Sequence, residues 1–172
     1  MERPATPRLG WITGLTIGAG LLILCCRPAR HVMVVYNPSE SAPRGWYAVT
    51  ETTVVSDGRY VLVRLPPTVQ QLAAQRGYLP MGVPLVKKVA ASVGEEVCER
   101  DGMVQINGVA VAVALPRDGA GRELVAWSGC RRLRDGELFL VSTTSCASYD
   151  SRYYGPMERD AVIGEAIPLW IW

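Results

Sequence analysis

From Leu9 to Cys26 the chain runs 18 residues without a charge, bounded by Arg8 and Arg27, close to the minimum that lets a helix cross a bilayer core. This pattern predicts one membrane anchor. A cleaved secretory signal competes with it, but the run ends in Leu24-Cys25-Cys26-Arg27-Pro28 with no small-x-small site, and Leu24 before Cys25 spoils a lipoprotein-type cleavage box. Charge leaves the orientation open, because Arg3 and Arg8 before the run balance Arg27 and Arg30 after it. Gly10, Gly14 and Gly18 form a small-xxx-small stripe that would admit a second helix, although glycine is frequent in membrane helices in any case.

Beyond Arg30 the texture changes to short β-branched runs separated by turn residues. His31 to Tyr36, Tyr60 to Leu65 and Glu137 to Ser142 read as strands. Val104 to Val111 alternates around Asn107-Gly108, the strongest short hairpin signal. One soluble helix is expected from about Val69 to Arg76, with Thr68 as N-cap and Gly77 closing it. With no repeat or low-complexity linker, the chain divides into a tail and anchor over residues 1–30 and one mainly antiparallel β domain with one short helix over residues 31–172.

Composition narrows the chemistry. Eighteen basic against sixteen acidic residues leave a net charge of +2, and there is no basic run, so nucleic acid is not an expected partner. The single histidine, His31, follows the apolar run; it reads as an interfacial or surface residue, and any hydrolase here needs a base other than imidazole. The chain has no GxGxxG, Walker A loop, HExxH or paired CxxC, which removes the common nucleotide and metal chemistries. Neither cofactor nor metal is expected.

Three segments carry candidate chemistry. In Asn37-Pro38-Ser39-Glu40-Ser41-Ala42-Pro43-Arg44-Gly45-Trp46-Tyr47, the i, i+2 spacing points Ser39 and Ser41 the same way, while the prolines and Gly45 fix a loop shape. A plain turn has the same composition. In Leu85-Val86-Lys87-Lys88-Val89, strand alternation sends one lysine inward, and an amine stripped of water loses basicity until it can take a proton from a hydroxyl. An edge strand with solvated lysines is the plainer alternative. In Ser148-Tyr149-Asp150-Ser151-Arg152-Tyr153-Tyr154-Gly155-Pro156, Asp150 and Arg152 can pair and Ser148 can donate toward whatever Asp150 supports.

Taken in order, S-x-S-x-P-x-G-x-Y, L-V-K-K-V and S-x-D-x-R-Y-Y-G-P resemble the catalytic boxes of the type I signal peptidases, membrane-anchored Ser/Lys peptidases, and most closely their conjugative-transfer TraF-like branch. The likeness implies a signal-peptidase-like β domain in the periplasm, anchored in the bacterial inner membrane by a single pass. It makes Ser41 the nucleophile, Lys87 the general base, Ser39 an oxyanion donor, Ser148 the group that orients Lys87, and Asp150 with Arg152 catalytic support. It implies a membrane-inserted precursor such as a conjugative pilin, cleaved or cyclised. Ser41-Ala42-Pro43 is shorter than the S-x-x-P of the general signal peptidases. A general signal peptidase and a non-catalytic assembly factor of a transfer channel are the alternatives.

Five cysteines are present. Cys25 and Cys26 read as apolar lining at the end of the anchor. Cys98 and Cys130 bracket the Asn107-Gly108 hairpin and could close it with a disulfide in an oxidising compartment, with pairings through Cys146 left open.

Overall fold

The short β-branched runs beyond residue 31 fold as strands. In the computed structural model, which describes residues 32–52 and 54–172, the strands are β1 (Met33–Asn37), β2 (Gly45–Thr50), β3 (Tyr60–Val63), β4 (Leu85–Ala91), β5 (Glu96–Arg100), β6 (Met103–Ile106), β7 (Val109–Val113), β8 (Gly129–Arg132), β9 (Glu137–Leu140), β10 (Met157–Glu158) and β11 (Val162–Ile171). Every paired set is antiparallel. A seven-stranded sheet has the order β1-β2-β11-β3-β4-β9-β10, and a four-stranded sheet has the order β7-β6-β5-β8. The fold is mainly antiparallel β, as the hydropathy pattern predicts.

The anchor expected over Leu9–Cys26, its glycine stripe and His31 lie outside the described residues. Among the described residues no helix is long and apolar enough to cross a membrane. Residues Val32–Trp172 form one compact unit.

Several element ends differ from the sequence expectation for identifiable reasons. The one substantial helix, α1, spans Pro67–Gln75, with Pro66 rather than Thr68 at its N-cap and no side-chain cap. Proline suits the first helical position, where a backbone N–H would have no partner. Strand β3 stops at Val63 because Arg64 N–H donates to Ala161 O instead of a ladder partner. Strand β9 stops at Leu140: the Ser142 N–H leaves the ladder and donates to Asp150 Oδ2 at 2.9 Å. A second helical turn, Ser151–Tyr154, occupies the acidic segment, capped by the Asp150 carboxylate on Arg152 N–H.

Both faces of the large sheet are buried in its middle. Val61, Val63, Val89, Leu138 and Leu140 pack with Ala73 of α1 on one side, and Tyr47, Val49, Leu62, Val86 and Ala166 pack on the other. A third cluster joins Ala91, Phe139 and Val141 to Val97, Val104 and Ile106, seating the small sheet on the β4–β9 end. The β6–β7 turn places Asn107 at φ 50° and Gly108 at φ 80°, the left-handed pair of a type I′ hairpin.

The loop between β1 and β2 is built on one residue. Asn37, the last of β1 and 5% exposed, donates from Nδ2 to the carbonyls of Ser39, Ala42 and Pro43 at 3.0–3.1 Å. Its Oδ1 accepts from Ser39 N–H at 3.2 Å and from the Ser39 hydroxyl at 2.8 Å. Tyr47 completes the brace by donating to Pro43 O at 2.6 Å. The loop re-enters the sheet at Gly45 (φ 141°), where a Cβ would lie 2.0 Å from Trp170 O. We expect Asn37→Asp, which turns a carboxylate oxygen onto those carbonyls, to lower unfolding free energy by about 2–4 kcal/mol. Denaturant unfolding measures it, and a loss below about 0.5 kcal/mol contradicts this account of the loop.

Candidate active site

Strand β4 lies between β3 and β9, so an inward side chain on it cannot reach solvent around a sheet edge. Lys87 is such a side chain, 2% exposed and opposite Val61 on β3, whereas Lys88 on the other face is half-buried. The Lys87 amine donates to Ser148 Oγ at 2.6 Å. Among the described residues no carboxylate lies within ion-pair distance of it. Burial brings its pKa down to about 8, opposed by the Asp150 charge and reinforced by Arg152; an ammonium without solvent is the disfavoured form.

Ser148 sits on the loop after β9, and that loop is held by a buried ion pair. Arg152, 1% exposed, meets the fully buried Asp150 through Nε and Nη2, both at 2.8 Å. The remaining guanidinium donors reach the carbonyls of Ser145, Cys146 and Val113 at 3.0–3.2 Å. One side chain therefore ties the Ser148 loop to the end of β7. Asp150 also takes the Ser142 N–H, so its carboxylate is occupied by structure and Ser148 does not donate to it. A bidentate pair of this kind holds a fixed geometry, and removing either partner strands the other charge.

Ser39 and Ser41 come together as the i, i+2 spacing predicts, Oγ to Oγ at 2.8 Å. The direction of that bond follows from Asn37. Its Nδ2 faces three carbonyls, so its Oδ1 can only accept, and the Ser39 proton goes to it. The Ser41 hydroxyl is then the donor to Ser39 Oγ. Among the described residues no hydrogen bond joins Ser41 to Lys87, yet both line one cavity of about 630 Å³ with Ser39, Ser148, Tyr149 and Tyr153. The serine loop and the Ser148 loop are also joined directly, by Thr144 Oγ1 donating to Glu40 O at 2.7 Å.

Such an arrangement can pass a proton from a hydroxyl to an amine held near neutrality, the requirement for a serine nucleophile without histidine. The sequence alone assigns no role to Asn37, although it heads the serine segment, or to Thr144. An Asn-Pro after a strand signals an Asx-type turn, but the link from Thr144 spans 104 residues and leaves no local trace. Away from the cavity, Cys98 and Cys130 are opposed on β5 and β8 and joined by a disulfide, and Cys146 is free and exposed. Glu96 lies beside that pair, but thiols committed to a disulfide are not metal ligands.

Comparison with known proteins gives the family. Residues 8–172 match the family model described as signal peptidase, peptidase S26. The plasmid transfer protein TraF of Escherichia coli is 31% identical over 169 residues, covering 92% of this chain and 94% of the relative. The probable conjugal transfer protein TraF of Sinorhizobium fredii is 35% identical over 141 residues, covering 76% and 73%. Among solved structures, a signal peptidase I from Enterococcus faecalis aligns with 67% of this chain and 98% of its own at 19% identity and a TM-score of 0.41. The chain belongs to the peptidase S26 signal peptidase family, with TraF conjugal transfer proteins among its relatives.

Proposed function

We propose that this protein is a membrane-anchored serine endopeptidase of conjugative transfer, with Ser41 as nucleophile and Lys87 as general base, acting on a membrane-inserted precursor such as a pilin. The observation that carries the reading is the Lys87 amine: buried, free of any carboxylate partner among the described residues, oriented by Ser148, and in the same cavity as Ser41. Membership of a peptidase family and the names of the TraF relatives support it.

In the resting arrangement the Ser41 proton points to Ser39. Rotation about the Ser41 Cα–Cβ bond swings the hydroxyl toward Lys87, which takes the proton as Oγ attacks the scissile carbonyl. The oxyanion is met by the Ser41 backbone N–H and by the Ser39 hydroxyl, which leaves Asn37 to donate to it. The Lys87 ammonium then protonates the departing amine, and an acyl-enzyme remains on Ser41. Water resolves it to a linear product; an amine of the same substrate resolves it to a cycle. Asp150 and Arg152 act as positioning residues, through the Ser148 loop.

Three features support a membrane location on the periplasmic side. The apolar run Leu9–Cys26 stands just before β1. Strand β1, which follows it, and its sheet neighbours β2 and β11 expose Val34, Tyr36, Trp46, Ile167 and Trp170, with Trp172 exposed just after β11, and Tyr36, Trp46 and Trp170 are at matched positions across the three strands; aromatic side chains of this kind favour the bilayer interface. The Cys98–Cys130 disulfide fits an oxidising compartment.

Intact-mass spectrometry of a conjugative pilin precursor co-expressed with the protein tests the reading. We expect processing by wild type and none by folded, membrane-inserted Ser41→Ala or Lys87→Ala; a product one water lighter than the linear fragment identifies cyclisation. Processing by both variants in a host lacking other maturation enzymes contradicts it. The pH profile is the second check. Because only the neutral amine accepts a proton, the single-turnover acylation rate rises as pH passes the Lys87 value of about 8, gaining about tenfold between about pH 7 and about pH 9. A rate that falls across this window with the protein intact contradicts the lysine base.

A further inference from the structure

The cavity that holds Ser41 and Lys87 extends to a wall made by the end of α1 and residues 115–124, and positive charge is in excess there. Arg76, Arg117 and Arg122 line it. The cavity has two lining carboxylates, Glu40 and Asp118, and both are already committed. Glu40 pairs with Arg44 at 2.8 Å. Asp118 Oδ1 accepts the backbone N–H groups of Ala120 and Arg122, each at 2.9 Å; its Oδ2 accepts the Tyr78 hydroxyl and Arg122 Nε, the latter at 2.7 Å. These bonds, that from Tyr78 foremost, hold the Asp118 carboxyl well below the usual range.

One committed carboxylate therefore faces three guanidinium groups. Arg76 reaches Asp118 only at 3.9 Å; its Nη1 donates to Tyr78 Oη and Glu123 O. Arg117 donates from Nη1 to Gly121 O, and Arg122 from Nη2 to Arg76 O. The Arg76 and Arg122 contacts pin the 115–124 segment to the end of α1 while the Arg117 contact braces the segment itself, and together they leave Nε and Nη2 of Arg76, Nε and Nη2 of Arg117 and Nη1 of Arg122 without hydrogen-bond partners among the described residues. Glu123 is exposed and does not line the cavity. Between this end and Lys87 the lining is apolar and aromatic, with Leu79, Leu85, Leu115, Tyr149 and Tyr153.

We infer that the arginine end is a subsite for a carboxylate carried by the peptide whose backbone reaches Ser41. The inference rests on the peptidase reading of the Ser41 end. A guanidinium presents a planar fork that matches a carboxylate, and several such forks with free donors on one wall offer paired hydrogen bonds even though Arg117 and Arg122 are exposed and solvent screens their charge. The apolar stretch between accepts uncharged side chains. An acidic side chain and a chain-terminal carboxylate offer the same chemistry to the arginines.

The test reads binding, on the full chain carrying Ser41→Ala in non-ionic detergent micelles. Three N-trifluoroacetyl peptides are the probes: tetra-alanine with a free carboxylate, tetra-alanine amide, and an Ala-Glu-Ala-Ala amide. From fluorine line broadening we expect an anionic probe to bind at least about fivefold more tightly than tetra-alanine amide, with the advantage shrinking as salt rises from about 50 to about 500 mM. In Arg76→Gln/Arg117→Gln, where Arg122 still holds Asp118, the advantage falls below about twofold, and Arg76→Lys/Arg117→Lys restores part of it. Preference for the free acid alone assigns a terminal carboxylate; preference for the glutamyl amide assigns a side chain. Equal affinity for all three probes, no broadening by any of them, or an undiminished advantage in the glutamine variant overturns the subsite. Wild type that cuts peptides while binding shows no charge preference removes the subsite and leaves the peptidase; charge-selective binding without cutting does the reverse.

Discussion

A lysine amine inside a β-sheet is the constraint from which the rest of the site follows. Strand β4 has neighbours on both edges and core on both faces, so the Lys87 side chain cannot reach water by snorkelling along an edge. Its charged form is expensive there, and burial is the largest influence bringing its pKa to about 8. A carboxylate in contact would stabilise the ammonium and destroy its use as a base. The fold supplies the neutral Ser148 hydroxyl instead, and keeps the nearest negative charge, Asp150, engaged with Arg152.

That choice transfers the structural burden outward. Ser148 must stay within hydrogen-bond distance of an amine whose protonation state changes, and its loop has no sheet partner. Arg152 replaces the missing ladder with three backbone carbonyls drawn from the loop and from β7, and Asp150 replaces it for Ser142. The serine loop is solved the same way by Asn37, a single amide that satisfies three carbonyls and fixes the direction of two hydroxyl protons. Thr144 then locks the two loops to each other. Lys87 thus sits on a regular strand, while the serines sit on irregular segments made rigid by buried side-chain hydrogen bonds, which is how loops gain the precision of strands.

Local pattern made much of this legible. Strand alternation turns Lys87 inward, Asn107-Gly108 forms the expected hairpin, and the i, i+2 serines meet. What the sequence hides is non-local. Strand β11 inserts between β2 and β3, and no pattern in residues 162–171 announces that. Three domain cysteines leave their pairing open until the β5–β8 register opposes Cys98 and Cys130. The arginine end of the cavity gathers Arg76 with Arg117 and Arg122 from segments about forty residues apart, and each reads alone as an ordinary surface charge. Thr68 misleads as a cap because proline at the first helical position satisfies the same geometry without one.

The proposed chemistry turns on one proton, and the chain is favourable for observing it directly, since Lys87 and Lys88 are its only lysines. With lysine labelled with carbon-13 at Cε, the full-length protein shows two signals to follow against pH. Lys87→Arg identifies which one belongs to the buried amine. The account predicts a Lys87 midpoint near pH 8; a midpoint at or above about 10, where a solvated lysine titrates, contradicts it.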